Sequence, residues 1–283
     1  MAVYAKIRSL YPNLPRAEKK VAEYILGAPQ EVLLHSVYEV AHAAQVSVAS
    51  VSRFVRTVGF GSFREFKVEL AQDRPSVAPE IYGAITSDDD EQEIVHKVFR
   101  GSVQSLEDTL KMIDMDVLKD VAKQFSSAKR IVFFGIGGSG NVARDAALRF
   151  SLIDVQAEVY TDPLYIIVAA KRLRAGEAAV GISHSGRSAI TVNALQIARE
   201  SGAHTVGVSN YLRSPLSECA EHFICTSFFE TRVKVAALSS RLAQLCVLDA
   251  LYLLVAFYRR KSWDIETLNN LTERLLRIEG QGG

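Results

Sequence analysis

Residues 130–140 read RIVFFGIGGSG, and a helical pattern begins at Asn141. A run of β-branched and aromatic residues closed by glycines predicts a short, buried strand that turns abruptly into a helix. Backbone N–H groups in such a turn converge on an anion at the positive end of the helix. Further short apolar runs stand downstream at Val155–Tyr160, Ala178–Ile182, Thr205–Val208 and His222–Cys225, with helical patterns between them. This alternation predicts βαβ units, hence an α/β fold with a five-stranded parallel, doubly wound sheet. The last segment, about Lys234 to Arg260, predicts a long helix, apolar on most of its circumference, that packs on the sheet or on a second subunit.

Upstream the pattern changes. Residues 1–75 read as short helices only, an all-α unit, with Pro15 and Pro29 where helices start and Gly27 and Gly59 where they stop. Prolines, a glycine and an acidic run between Asp73 and Asp90 break helical periodicity and predict a linker over residues 76–90. Two more helical segments, from about Glu91 to Phe125, open the α/β unit of residues 91–283.

Composition narrows the function classes. The 283 residues are 48% hydrophobic and 23% charged, enough to bury a sizeable core. A net charge of +1 excludes a chain that coats nucleic acid non-specifically. Residues 1–75 are mildly basic, with 10 Lys/Arg against 7 Asp/Glu. The longest uncharged apolar run near the C-terminus, Ala250 to Tyr258, falls far short of the roughly 18 residues of a spanning helix, so no membrane span is expected. Cys219, Cys225 and Cys246 have no metal-ligand spacing and read as buried small hydrophobes in a reducing cytoplasm. His35, His42, His96, His204 and His222 likewise read as structural, and neither metal nor cofactor is expected.

Within the first unit, Ser36 to Val58 (SVYEVAHAAQVSVASVSRFVRTV) holds one short helix, a tight break near Gln45 and Val46, and a second helix that Ser47 can N-cap. This is a helix-turn-helix pattern. Val48, Val51, Val55 and Val58 form one apolar stripe, which places Ser50, Arg53 and Thr57 on the opposite side. Hydroxyls and a guanidinium there suit phosphate oxygens and the O6/N7 edge of guanine. A solvated amphipathic helix in a bundle would show the same pattern.

In the second unit, GIGGSG is formally GxGxxG, and Glu158 or Asp162 stands about where a dinucleotide site needs an acid. A second loop points elsewhere. After Ala178–Ile182 comes Ser183-His184-Ser185-Gly186-Arg187-Ser188, with Thr191 one turn further on. A phosphomonoester uses such a cluster, because its terminal oxygens accept several hydrogen bonds at once. Loops that follow parallel strands lie at the carboxyl edge, where ligands bind. Helix capping by any single serine is the competing explanation.

Two stretches carry a family resemblance. VSVASVSRFVRTVGFGSFREFKVEL, with LPRAEKKVAEYIL upstream, resembles the N-terminal domain of the RpiR family of bacterial transcriptional regulators at Val46, Ser47, Ser50, Val51, Arg53, Phe54, Gly59, Phe60, Phe63, Phe66 and Lys67. The resemblance implies that Ser47, Ala49, Ser50 and Arg53 approach bases or phosphates, and that Arg56, Arg64 and Lys67 reach backbone phosphate. Phe54, Phe63 and Phe66 would pack the core. RIVFFGIGGSGNVARDAALRF, VGISHSGRSAITVNALQIARESGAHTVGVSN, SPLSECAEHFI and SSRLAQLCVLDALYLLV resemble the SIS (sugar isomerase) domain of the same regulators over about residues 128–260. That resemblance implies a phosphosugar site made by the turn at Gly137 and by Ser139, Ser183, Ser185 and Ser188. Thr191 would be an adjunct, and Glu230 would meet a sugar hydroxyl.

The expected protein is a sugar-phosphate-responsive, non-enzymatic transcriptional regulator of carbohydrate-metabolism genes. It is expected to be a cytoplasmic homodimer or homotetramer on a double-stranded, inverted-repeat operator. The alternatives are a phosphosugar isomerase, with Glu230 or a histidine as base, and a nicotinamide-dinucleotide binder.

Overall fold

The computed structural model describes residues 3–73, 85, 88–153, 155–228 and 238–260. The helical unit comprises α1 (Val3–Leu10), a 3-10 turn (Tyr11–Asn13), α2 (Arg16–Gly27), α3 (Pro29–Leu34), α4 (Val37–Ala43), α5 (Val48–Thr57) and α6 (Phe63–Gln72). Its boundaries follow local chemistry. Pro29 opens α3, and Ser36 and Glu39 form a reciprocal capping box on α4. Ser47 caps α5, and Ser62 caps α6. The break between α4 and α5 falls at Gln45, a non-glycine residue with positive φ (53°). The helices close on Val21, Ile25, Val40, Val51, Phe54, Val55, Val58 and Phe66. Each large side chain buried there stabilises the unit by about 1.5–3 kcal/mol. Phe54 and Phe66 meet edge to face at 6.1 Å, while Phe63 is half-buried and stacks on Phe66, so all three pack as expected.

The second unit begins with α7 (Glu91–Met112) and α8 (Met115–Ser127). It continues β1 (Ile131–Phe134), α9 (Gly138–Ser151), β2 (Ala157–Tyr160), α10 (Pro163–Arg172), β3 (Ala178–Ile182), α11 (Ala189–Glu200), β4 (His204–Ser209), α12 (Pro215–Cys219), β5 (His222–Cys225) and α13 (Leu238–Arg260). All strand pairs are parallel, in the order β2-β1-β3-β4-β5. Side chains alternate between two apolar layers. Ile131, Phe133, Ala178, Val180 and Ile182 face α8, α9 and α13, whereas Val132, Phe134 and Ala179 face α10, α11 and α12. Burial on both faces is why the strands read as continuous apolar runs.

Two expectations change here. By length and composition α13 could cross a membrane, since Ser240–Arg259 has a mean hydropathy of 1.6. Counting only the uncharged run up to Tyr258 missed this, because Arg241 and Asp249 are single charges inside the window. In the structure α13 buries Ala243, Val247, Leu248, Leu251, Val255 and Ala256 in the sheet's core. Cys219 and Cys225 are buried, and burial pushes the Cys225 thiol up to about 12, but Cys246 is exposed. The expected linker over residues 76–90 lies largely outside the described residues.

The two units touch. Arg8 of α1 pairs with Asp108 of α7, and Gln104 donates to the same carboxylate at 2.7 Å. Burial raises the Asp108 carboxyl above its ordinary value against the pull of Arg8. Asp73 accepts from the Tyr4 backbone N–H at 3.0 Å and pairs with Lys111 at 3.3 Å.

Candidate functional site

The strand order creates the site. From β1 the chain crosses to β2 on one side and later returns to β3 on the other, so the loops after β1 and β3 diverge and leave a crevice at the carboxyl edge. Those loops are GIGGSG and SHSGRS. In the first, Gly137 has φ +59° and stands at the N-cap of α9, offering no side-chain cap. Ser139 lies in the first turn of α9. In the second, Ser188 is the N-cap residue of α11, yet its hydroxyl makes no capping bond and accepts from Thr191 Oγ1 at 3.0 Å. The neighbouring helices α10 and α12 are capped by Asp162 and Ser214. Orphan N–H groups therefore stand uncapped by side chains at the two helix ends beside the crevice.

The hydroxyls are unspent. Neither Ser139 nor Ser183 hydrogen-bonds through its side chain among the described residues. Ser185 Oγ only accepts, from the Arg187 backbone N–H at 3.2 Å. All four hydroxyls therefore keep a hydrogen to donate, the complement of an acceptor-only phosphate. Thr191 departs from the expectation: it is fully buried and its hydroxyl is committed to Ser188, so it buttresses the loop and does not face the crevice. Glu230 lies outside the described residues.

Gly135 fixes the approach of α9. A Cβ there would lie 2.6 Å from the Ser139 carbonyl oxygen. Gly135→Ala is expected to destabilise the fold by about 1–3 kcal/mol through overpacking. Denaturant unfolding would check this, and unchanged stability would show that the turn has room to relax.

Ser240, Gln244 and Asn210, which the sequence reading passed over, support the second loop together with His184. His184 Nδ1 lies 2.9 Å from Ser240 Oγ, and its ring meets Phe228 edge to face at 5.1 Å, so the ring is held in place. Ser240 and Gln244, one turn apart on α13, donate to Asn210 Oδ1 at 3.0 and 3.3 Å. The recoverable signal was that i, i+4 polar pair near the start of a largely apolar helix. Arg241 extends along the first loop, with Cδ 3.8 Å from where a Cβ on Gly138 would sit. The acids of the dinucleotide reading are occupied: Glu158 pairs with Arg130 at 3.3 Å, and Asp162 caps α10.

On the helix-turn-helix, Ser47, Ala49, Arg53 and Arg56 are exposed on α5, and Arg64 is exposed on α6. Ser50 corrects the expectation. It is 4% exposed, because position 50 adjoins the buried Val51–Phe54 face, and its hydroxyl accepts from Arg53 Nη2 at 3.1 Å. It therefore steadies the guanidinium. Lys67 is also engaged, donating to the Leu33 and His35 carbonyls at 3.3 and 3.0 Å at the C-terminus of α3. Val48 and Thr57 are half-buried, so the stripe is completed by Phe54 in place of Val48.

Comparison with known proteins meets this geometry at both ends. A helix-turn-helix domain of the rpiR family matches residues 1–76, and a SIS domain matches residues 124–254. An uncharacterised HTH-type transcriptional regulator of Caldanaerobacter subterraneus is 36% identical over 90% of each chain. The chain belongs to the RpiR family. This RpiR-family chain is also 33% identical to the HTH-type transcriptional regulator HexR of Pseudomonas aeruginosa, over 87% of this chain and 86% of HexR. Its fold matches the Vibrio vulnificus NanR protein, solved in complex with ManNAc-6P, at a TM-score of 0.59 and 23% identity, over 98% of this chain and 97% of NanR.

Proposed function

We propose that this RpiR-family protein is a transcriptional regulator of carbohydrate-metabolism genes that binds an inverted-repeat operator through α5 and answers to a sugar phosphate held between the loops after β1 and β3. The observation that supports the sensor reading is that the loops leaving the carboxyl ends of the adjacent strands β1 and β3 carry four donor-ready hydroxyls and lead into two helix N-termini that lack side-chain caps. The phosphate sits on Ser139, Ser183, Ser185 and Ser188 with Gly137 lining the turn, and Arg241 supplies positive charge beside it. The reader uses Ser47, Ala49 and Arg53 toward bases, and Arg56 and Arg64 toward backbone phosphate. It acts in the cytoplasm, without catalysing a reaction.

A second copy covers the exposed apolar stripe Val95, Phe99, Val103 and Leu110 of α7. The protein then works as a homodimer or a homotetramer with paired reading heads. The test is a panel of phosphorylated sugars and sugar acids, read by thermal shift and by operator mobility shift. At least one compound is expected to raise Tm and to change operator affinity roughly 5–150-fold. No response to any of them would reject the reading, and repeated turnover of a sugar phosphate would install the isomerase in its place.

A further inference from the structure

The loop after β3 reaches out of its own unit. Arg187 donates from Nη2 to Oδ1 of Asn13 at 2.8 Å. Asn13 closes the 3-10 turn between α1 and α2 of the reader. Through Nδ2 the same carboxamide donates to the Arg213 carbonyl, in the loop after β4. Leu212, next to it, packs against the reader's core.

The two loops that Asn13 grips are one body. Leu216 N–H donates to the Gly186 carbonyl at 3.0 Å, and Asn210 N–H donates to the His184 carbonyl at 3.1 Å. Gly186 has φ +64°, and a Cβ on it would strike Ser214 and come within 2.8 Å of Ser209 Oγ. A side chain of the DNA-reading unit is thus tied to the segment that carries three of the four phosphate-facing serines.

Arg187 stands between Ser185 and Ser188 in the chain, and an anion on those hydroxyls would be a rival for its guanidinium. The competition is unequal. Asn13 offers one neutral oxygen in an exposed pair, whereas a phosphomonoester offers charged oxygens that the planar guanidinium can take two at a time, an ion pair as well as a hydrogen bond. We propose that Arg187 is a shared arm: it holds Asn13 when the crevice is empty and transfers to the phosphate when the crevice is filled, which unclasps the 3-10 turn from the sensor. The inference rests on the phosphate reading of the crevice and adds the route by which occupancy is felt at the reader. Because linkage is reciprocal, weakening the clasp strengthens the phosphate site.

The test titrates the full-length chain with inorganic phosphate and with glucose 6-phosphate by calorimetry. Asn13→Ala is expected to bind about 3–10-fold more tightly than wild type, since its rival is gone. Arg187→Ala is expected to bind about tenfold more weakly, and the double variant is expected to match Arg187→Ala because the rivalry needs both side chains. On operator DNA, Asn13→Ala alone is expected to move affinity in the direction that ligand moves the wild type, leaving a smaller residual response. Wild-type phosphate affinity in Asn13→Ala would overturn the shared arm, whether or not Arg187→Ala binds more weakly. If Ser183→Ala with Ser185→Ala abolishes binding while both single variants behave as wild type, the crevice stands and the arm falls. Absence of phosphate binding by the wild type would sink both.

Discussion

Arg53→Ala is expected to weaken operator binding by about 1–3 kcal/mol, roughly 5–150-fold, with sequence preference relaxed at one position of each half-site. The magnitude follows from the local chemistry. Arg53 is exposed on the outward face of α5, and the Ser50 hydroxyl takes one of its guanidinium N–H groups, restricting the side chain before DNA arrives. A bidentate contact to guanine then costs less ordering than a free arginine would. Ser50→Ala should cost less than Arg53→Ala, because it removes the brace and leaves the contact. Lys67→Ala should act on stability rather than on the salt dependence of binding, since its ammonium is spent on the α3 carbonyls. The measurement is a mobility-shift titration over operator variants. Unchanged affinity and unchanged preference in Arg53→Ala would remove this residue from base reading.

The double variant Ser183→Ala with Ser185→Ala is expected to abolish the effector response while leaving unliganded operator affinity as in wild type. Each hydroxyl donates to a charged oxygen in the proposed complex, and such bonds are worth about 1.5–3 kcal/mol apiece. Losing two removes about 3–6 kcal/mol, enough to put the effector beyond any practical concentration. The fold should tolerate the change, because among the described residues the Ser183 hydroxyl makes no hydrogen bond and that of Ser185 gives up a single acceptor role. Calorimetry, thermal unfolding and operator titration separate the possibilities. A fall in operator affinity without ligand would show that these serines hold the reader in place and do not serve the sensor alone.

Much of this was legible in the amino-acid order because it depends on neighbours in the chain. The strand Ala178–Ile182 and the strand His222–Cys225 have the bounds their apolar runs predict, and Ser47 caps the second helix of the helix-turn-helix as its position predicts. What misled were side chains whose surroundings come from elsewhere. Ser50 has the spacing of an outward residue, yet neighbouring helices bury it. Lys67 looks like a phosphate contact until α3 ends beneath it. Thr191 reads as a ligand-facing hydroxyl in the first turn of α11 until its burial under Gly181 and its bond to Ser188 are seen.

The sequence alone determined that an all-α helix-turn-helix unit precedes a parallel α/β unit, because periodicity, caps and glycine turns are local properties. Only the tertiary structure decided that the sheet runs β2-β1-β3, that this order brings two distant loops to one crevice, and that Asn13 and Arg187, 174 positions apart, meet. Strand order and interdomain contact are set by which faces bury each other across long loops. No short window of residues records that choice.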